Sequence, residues 1–253
     1  MSTQELQDIQ NKVEHIAKEA GKIALGSLGR VKFEQKGNEG DLVTKTDREI
    51  EIFIKDKLKG LIKKASIYGE EYGGELSGEY VWLIDPIDGT KNFAHNMPSF
   101  FTHIILLENK EPVIGVIYDP VFKKLFSASK NNGAFLNGKK MLVNSFVKIE
   151  KAVVDIDFGG KEDLDYKTDI FKKIASKVYR ARVSGGRLAP YLLTGGIDAF
   201  VVINPTTQLF DQAPRVILAQ EAGYDVIDFD RKNWKVRIMS NPSLTQQLSE
   251  IIM

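Results

Sequence analysis

Apolar residues recur at steps of three and four near the start of the chain. Leu6, Ile9, Val13, Ile16, Ala20 and Ile23 share one face with charges between them, which predicts an amphipathic helix ended by Gly26 and Gly29. A loop is expected over residues 30–41, where Gly37 and Gly40 stand among charges. A second helix is predicted from about Asp47, its apolar face drawn by Ile50, Ile54, Leu58 and Leu61. At Tyr80 the period changes. Val81-Trp82-Leu83-Ile84 reads as a buried strand that stops at Asp85-Pro86. After a short helical stretch, apolar runs at 102–107, 113–118 and 124–128 predict an antiparallel meander; turn sequences at 108–111, 119–120 and 131–133 follow the successive runs.

Beyond residue 150 the rhythm alternates: strand 152–156, helix 163–179, short strand 181–183, helix 187–194, strand 198–203, helix 211–221, strand 225–229. Antiparallel strands first and alternating elements later predict an α/β (α+β) fold in two lobes. Residues 1–150 form an α+β lobe with the meander; residues 151–253 form an α/β lobe. No internal repeat is visible, and Gly26-Ser27-Leu28-Gly29 lacks the lysine and preceding strand of a phosphate-binding P-loop.

Composition narrows the function classes. A hydrophobic content of 43% with 27% charged residues belongs to a folded chain, not a disordered one. Lys plus Arg number 35 against 34 Asp plus Glu, so there is no basic excess to recommend nucleic acid or anionic lipid. The absence of cysteine removes disulfides, thiolate metal sites and thiol nucleophiles. No stretch approaches the roughly 18 apolar residues of a membrane span. Met1-Ser2-Thr3-Gln4-Glu5 leads into a charged segment without the apolar core of a signal peptide, so the expected location is the cytoplasm.

The informative feature is where the carboxylates stand. Asp85 and Asp88 flank Pro86-Ile87 directly after an apolar strand, with Gly89-Thr90 next. Such a corner brings two carboxylates to one cation, or it is a plain turn in which Asp88 caps a helix beginning near Thr90. Glu70-Glu71 follow Ile67-Tyr68-Gly69, Asp211 opens a predicted helix, and Asp47 closes Asp41-Leu42-Val43-Thr44-Lys45-Thr46-Asp47 at another. Each has its own plain reading as a solvated loop or an N-cap. If these corners converge, that many like charges stay ionised only beside divalent cations. Oxygen donors without cysteine select a hard ion such as Mg²⁺. Backbone N–H groups at Gly89 and Thr90 then suit a phosphate. Metal ions beside an anion cradle point to phosphoryl chemistry.

Gly69-Glu70-Glu71, the run Trp82-Leu83-Ile84-Asp85-Pro86-Ile87-Asp88-Gly89-Thr90-Lys91-Asn92-Phe93, the 41–47 segment and Phe210-Asp211-Gln212-Ala213 resemble the inositol monophosphatase family. That family is part of a larger group with fructose-1,6-bisphosphatases and nucleotide 3′-phosphatases. The resemblance covers nearly the whole chain, in order. It implies a layered αβαβα sandwich and two to three Mg²⁺ ions per site. Glu70, Asp85 and the carbonyl of Ile87 are implied to hold the first ion, Asp85, Asp88 and Asp211 the second, and Glu70 with water a weaker third. Thr90, hydrogen-bonded to Asp47, is implied to orient and help deprotonate the attacking water, with Glu70 among the catalytic groups and Glu71 supporting them. Asp88, Gly89, Thr90, Ser184, Gly185 and Arg187 are implied to meet phosphate and substrate, and the loop at 36–41 resembles a mobile segment that closes over the site. The implied partners are a small phosphorylated metabolite and a second copy of the chain in a homodimer, with no nucleic acid and no membrane.

The chain departs from the family pattern in places. Phe210 stands where a tryptophan is usual, and Pro214 follows Ala213, where the first turn of a helix tolerates it. The family's Gly-Ser-Ala stretch appears as Val183-Ser184-Gly185-Gly186-Arg187, and no carboxylate stands near Val202 to Asn204, where animal members contact inositol hydroxyls. Arg187, with Arg180 or Arg182, could serve a second phosphate or be an ordinary surface arginine. The leading reading is therefore a Mg²⁺-dependent phosphomonoesterase acting on a small sugar or inositol phosphate. A fructose-1,6-bisphosphatase, a 3′-phosphoadenosine 5′-phosphate phosphatase and a catalytically silent phosphosugar-binding protein remain as alternatives. His15, His95 and His103 share no ligand spacing and read as structural. Asp155-Ile156-Asp157 with Gly159-Gly160 half resembles a calcium loop but has Tyr166 at its twelfth position, and so reads as the end of a strand. Phe100, Phe101, Tyr118 and Phe122 read as core or as a subunit contact.

Overall fold

The computed structural model describes residues 1–30, 33–36, 41–143, 146–159, 162–203, 209–231 and 234–253. The chain divides into two units, Met1–Lys140 and Met141–Met253, where the sequence pattern set the boundary near residue 150.

In the first unit, α1 (Thr3–Ser27) opens on a capping box between Ser2 and Glu5 and buries Leu6, Val13, Ile16 and Ala20. The expected loop instead contains a two-stranded antiparallel ribbon, β1 (Phe33–Lys36) and β2 (Asp41–Thr44); residues 37–40 of that segment lie outside the described residues. Helix α2 (Lys45–Leu58) starts earlier than expected because Thr44 caps it, and Leu61 packs on the core from beyond its end. Then come β3 (Ser66–Gly69), β4 (Gly73–Gly74), β5 (Tyr80–Asp88), the short helix α3 (Thr90–Ala94), β6 (Phe101–Glu108), β7 (Glu111–Asp119), β8 (Lys124–Ser129), β9 (Gly133–Leu136) and β10 (Lys139–Met141).

These last eight strands form one sheet in the order β10-β9-β8-β7-β6-β5-β3-β4. Strands β6, β7 and β8 are the predicted meander, extended by β5 on one side and by β9 on the other, whereas β3 joins β5 in parallel. The predicted stop at Asp85-Pro86 does not occur. Strand β5 continues to Asp88 through a register shift between Asp85 and Asp88. Proline has no N–H for the ladder, and the irregularity accommodates it while the Pro86 carbonyl accepts the Thr102 hydroxyl at 3.0 Å. Helices α1 and α2 lie against the sheet, closing a core of Val13, Ile16, Ile50, Ile54, Trp82, Ile84, Ile104 and Val116. Each such fully buried side chain contributes roughly 1.5–3 kcal/mol relative to exposure. The helix lies so close that a Cβ at Gly21 would stand 2.5 Å from the Tyr118 ring.

In the second unit, β11 (Val153–Asp157), α4 (Leu164–Ala175), β12 (Arg180–Arg182), β13 (Ala199–Ile203), α5 (Leu209–Ala222), β14 (Asp225–Arg231), β15 (Trp234–Ser240) and α6 (Pro242–Ile252) follow in order. The sheet order is β12-β11-β13-β15-β14; β11 pairs in parallel with β12 and β13, while β15 is antiparallel to β13 and β14. The helix predicted at 187–194 is a shorter 3-10 turn, Ala189–Thr194, and α4 ends before the predicted residue 179. Strand β15 and helix α6 extend the unit past the last predicted element; α6 begins at Pro242 with Asn241 as its cap. Each unit is thus a mixed sheet with helices against it, an α/β fold as expected. Among the described residues, no helix is long and apolar enough to cross a membrane.

Candidate active site

The end of β5 carries the first two acids. Asp85 and Asp88 are 2% and 5% exposed. The plain-turn alternative fails at Asp88: α3 is capped by Gly89, in the left-handed region at φ 97°, and makes no side-chain cap hydrogen bond. Two carboxylates are buried here with no role as helix caps.

Asp47 does two jobs. As the third residue of α2 it completes a capping box, with Oδ2 accepting the Thr44 backbone N–H at 2.9 Å and the Thr44 hydroxyl in a short contact. Its Oδ1 accepts the Thr90 hydroxyl at 3.1 Å, while the same hydroxyl lies 2.9 Å from the Ile87 carbonyl. Burial pushes the Asp47 carboxyl up to about 6, against the opposing hydrogen bonds from Thr44 and Thr90; the nearby charge of Glu71 raises it further.

Glu70 and Glu71 follow β3, where the Glu70 N–H continues the ladder to the Ile84 carbonyl at 3.0 Å. What fixes this corner is Glu51, which no motif in the sequence marks. Its fully buried carboxylate accepts the N–H groups of Glu71 (2.7 Å) and Tyr72 (3.1 Å) and pairs with Lys55 at 2.6 Å. A Cβ at Gly69 would fall 2.0 Å from Glu51 Oε1, so a larger residue there would push the carboxylate away from the corner. The only sequence signal was an ordinary Glu–Lys pair at i,i+4 on an amphipathic helix, the pattern of a solvated face.

The sequence pattern gives His103 only a structural role. It is fully buried on β6, directly opposite Asp85, with Nδ1 3.9 Å from Asp85 Oδ2 and Nε2 3.4 Å from Asp88 Oδ2. His15 and His95 are exposed. Phe100, Phe101 and Tyr118 are core, whereas Phe122 is 64% exposed.

The second unit holds the remaining candidates. Asp211 is half-buried in the first turn of α5 as its third residue, not as its cap, where its charge still suits the helix dipole. Because α5 starts at Leu209, Pro214 sits beyond the first turn rather than within it. The Ser184 hydroxyl donates to Asp155 Oδ2 at 2.6 Å and accepts the Leu188 N–H at 3.1 Å. Gly185 (φ 62°) and Gly186 (φ 80°) turn the chain toward a half-buried Arg187. Asp155 and Asp157 end β11, as expected; Gly160 lies outside the described residues. Burial pushes Asp155 up to about 6, opposed by Ser184 and by the positive charge of Arg215. Val202 and Ile203 are buried in β13, and Asn204 lies outside the described residues.

A family model described as the Inositol monophosphatase family matches residues 5–251. The chain belongs to that family. Among relatives, Inositol monophosphatase 2 of Solanum lycopersicum is 34% identical over 223 residues, covering 84% of each chain. A Fructose-1,6-bisphosphatase/inositol-1-monophosphatase of Thermotoga maritima is 32% identical over 226 residues, covering 86% of this chain and 83% of that one. The solved structure of a Thermotoga maritima IMPase superposes with a TM-score of 0.83 at 30% identity, covering 97% of this chain and 96% of the other. As a member of the inositol monophosphatase family, the protein is a metal-dependent phosphatase, a hydrolase of phosphoric monoesters.

Proposed function

We propose that this inositol monophosphatase family member hydrolyses a small sugar or inositol phosphate with Mg²⁺, using Glu70, Asp85, the Ile87 carbonyl and Asp88, with Asp211, as metal ligands. The observation that carries the reading is the Thr90–Asp47 hydrogen bond beside the buried pair Asp85 and Asp88. The donor set fits a hard divalent cation. It offers buried carboxylates that would repel one another without a counter-charge, and a carbonyl with a second lone pair beyond the one facing Thr90. When bound, Mg²⁺ supplies charge against the phosphoryl oxygens and acidifies water.

The chain's own residues do the rest. Thr90 accepts the attacking water's proton on its hydroxyl oxygen as its own proton passes to the Asp47 carboxylate, which is neutralised while hydroxide is left to attack the phosphorus. The capping box anchors Asp47 Oδ2, so Oδ1 stays aimed at Thr90. Glu51 holds the Glu70-Glu71 corner in place from below. Gly89 and Thr90 offer backbone N–H groups to the phosphate, and Ser184, Gly185 and Arg187 meet the rest of the substrate.

A bisphosphate such as fructose 1,6-bisphosphate is the second reading. It is favoured by the apolar, buried Val202 and Ile203, which offer no carboxylate to inositol hydroxyls. The deciding experiment measures phosphate release from inositol monophosphate, fructose bisphosphate, phosphoadenosine phosphate and glycerol phosphate, with and without Mg²⁺. Mg²⁺-dependent turnover of one or more of these is expected; none under any divalent ion would overturn the enzyme reading in favour of a binding protein. The homodimer and the cytoplasmic location belong to the same proposal, and sedimentation tests the first.

A further inference from the structure

The imidazole of His103 lies among the carboxylates assigned above to the metal, where an all-oxygen Mg²⁺ site has no use for a nitrogen. Register puts it there: antiparallel pairing sets His103 across from Asp85, and the shift after Asp85 sets Asp88 across from Phe101. The ring is fully buried and stacked on Phe101, with centroids 6.3 Å apart and planes 19° from parallel. Burial and stacking restrict its rotation, so both nitrogens keep facing acids.

The separations are informative. At 3.4 Å and 3.9 Å, the nitrogen–oxygen distances exceed the roughly 2.7–2.9 Å of a charge-assisted hydrogen bond. Two donors that each stand about 2.1 Å from one cation lie roughly 3.0–3.4 Å from each other, for angles between octahedral and tetrahedral. The gap between His103 Nε2 and Asp88 Oδ2 is of that size. Mg²⁺ binds oxygen and keeps its water, whereas imidazole suits borderline transition-metal ions.

We propose that His103 is a metal ligand of this site, binding through Nε2 the ion that Asp88 holds, and that it biases that position toward Zn²⁺, and less strongly Mn²⁺, over Mg²⁺. The inference rests on the metal-dependent reading of the same acids. In this arrangement Nδ1 faces Asp85 at 3.9 Å, beyond hydrogen-bond reach, and Asp85 stays among the metal's own ligands. His103 thereby becomes the residue through which this chain distinguishes one divalent ion from another.

The test uses the full chain stripped of metal by chelation and titrated with Mn²⁺ alone. Electron paramagnetic resonance counts the bound ions, and electron spin-echo modulation detects an imidazole nitrogen coupled to Mn²⁺. Competition with Mg²⁺ and Zn²⁺ then orders the affinities. Wild-type protein is expected to show the nitrogen coupling. His103→Ser and His103→Gln should lose it, with Mn²⁺ affinity falling at least roughly 10-fold and Mg²⁺ affinity changing far less. If those variants do not fold, a chain lacking the other two histidines, His15→Asn with His95→Asn, should retain the coupling and so assign it to His103. Stoichiometric Mn²⁺ binding without nitrogen coupling would overturn the role of His103 while leaving the metal site intact. Failure to bind Mn²⁺, Mg²⁺ or Zn²⁺ at all would overturn the metal site and this inference together.

Discussion

The hydroxyl of Thr90 lies 3.1 Å from Oδ1 of Asp47, 43 residues earlier in the chain, while the other oxygen of that carboxylate closes the capping box of α2. One acid therefore holds a helix start and a reactive hydroxyl at once, and the rigidity of the cap is passed to the hydroxyl. Removing the hydroxyl should separate catalysis from stability. Thr90→Ala is expected to lower kcat by roughly 10²–10⁴, the usual range for lost acid–base assistance, with little change in KM. Steady-state kinetics and thermal unfolding on the same preparation check this. A large fall in Tm with kcat intact would show that the pair is only architectural.

Glu51 is expected to matter to metal binding without touching metal. Its carboxylate carries the N–H groups of Glu71 and Tyr72. Glu51→Gln should cost about 1–3 kcal/mol through the weakened buried bonds and loosen Mn²⁺ binding roughly 10–100-fold. Gly69→Ala should do the same, because its Cβ would displace that carboxylate. Denaturant unfolding and a Mn²⁺ titration read the two effects; metal affinity unchanged in both variants would disprove the positioning role.

Asp155 gives the second unit a pH dependence. Its carboxyl is raised to about 6 by burial, so the folded state holds a proton that the unfolded chain releases nearer 4. The contribution to stability is fullest in acid below the ordinary carboxylate range and is lost as pH rises through about 6. Asp155→Asn, which keeps an acceptor for Ser184, should therefore flatten the stability profile between pH 4 and 7 by up to about 3 kcal/mol. Asp47 is raised to a similar value, so the wild-type slope contains both residues and the difference between proteins isolates Asp155. Identical profiles for wild type and variant would show that the acid titrates normally.

Mg²⁺ should stabilise the folded chain. It binds the assembled acids and hardly the unfolded chain, so about 100 times its dissociation constant should add about 2.7 kcal/mol per site. Protons compete for the same oxygens, and the gain should shrink on mild acidification. Thermal unfolding in chelator and in Mg²⁺, at neutral and at mildly acidic pH, measures both. Midpoints at neutral pH indifferent to Mg²⁺, at concentrations that saturate activity, would mean that the acids do not gather around a cation.

The sequence by itself determined what local periodicity controls. The faces of α1 and α2 and the runs of β6, β7 and β8 were legible because each element's burial repeats within its own few turns or pleats. The acids at Asp47, Glu70, Asp85, Asp88 and Asp211 were legible for another reason: they stand where elements end, and a resemblance tied them into one chemistry. Strand β15 was passed over although Val236 and Ile238 alternate with Lys235 and Arg237, a short signal that gains meaning only from pairing with β13 and β14. Pro86 read as a stop because proline ends ladders, but the neighbouring strand accommodates it through an irregular register. Tertiary structure alone decided the partners of Glu51 and His103. A buried carboxylate at i,i+4 from a lysine looks solvated until a chain turn hands it two N–H groups, and a histidine in an apolar strand looks like core until register sets it opposite Asp85. Pairing register and loop closure are long-range choices that no local pattern encodes, so the acids were visible in the sequence but the groups that hold and tune them were not.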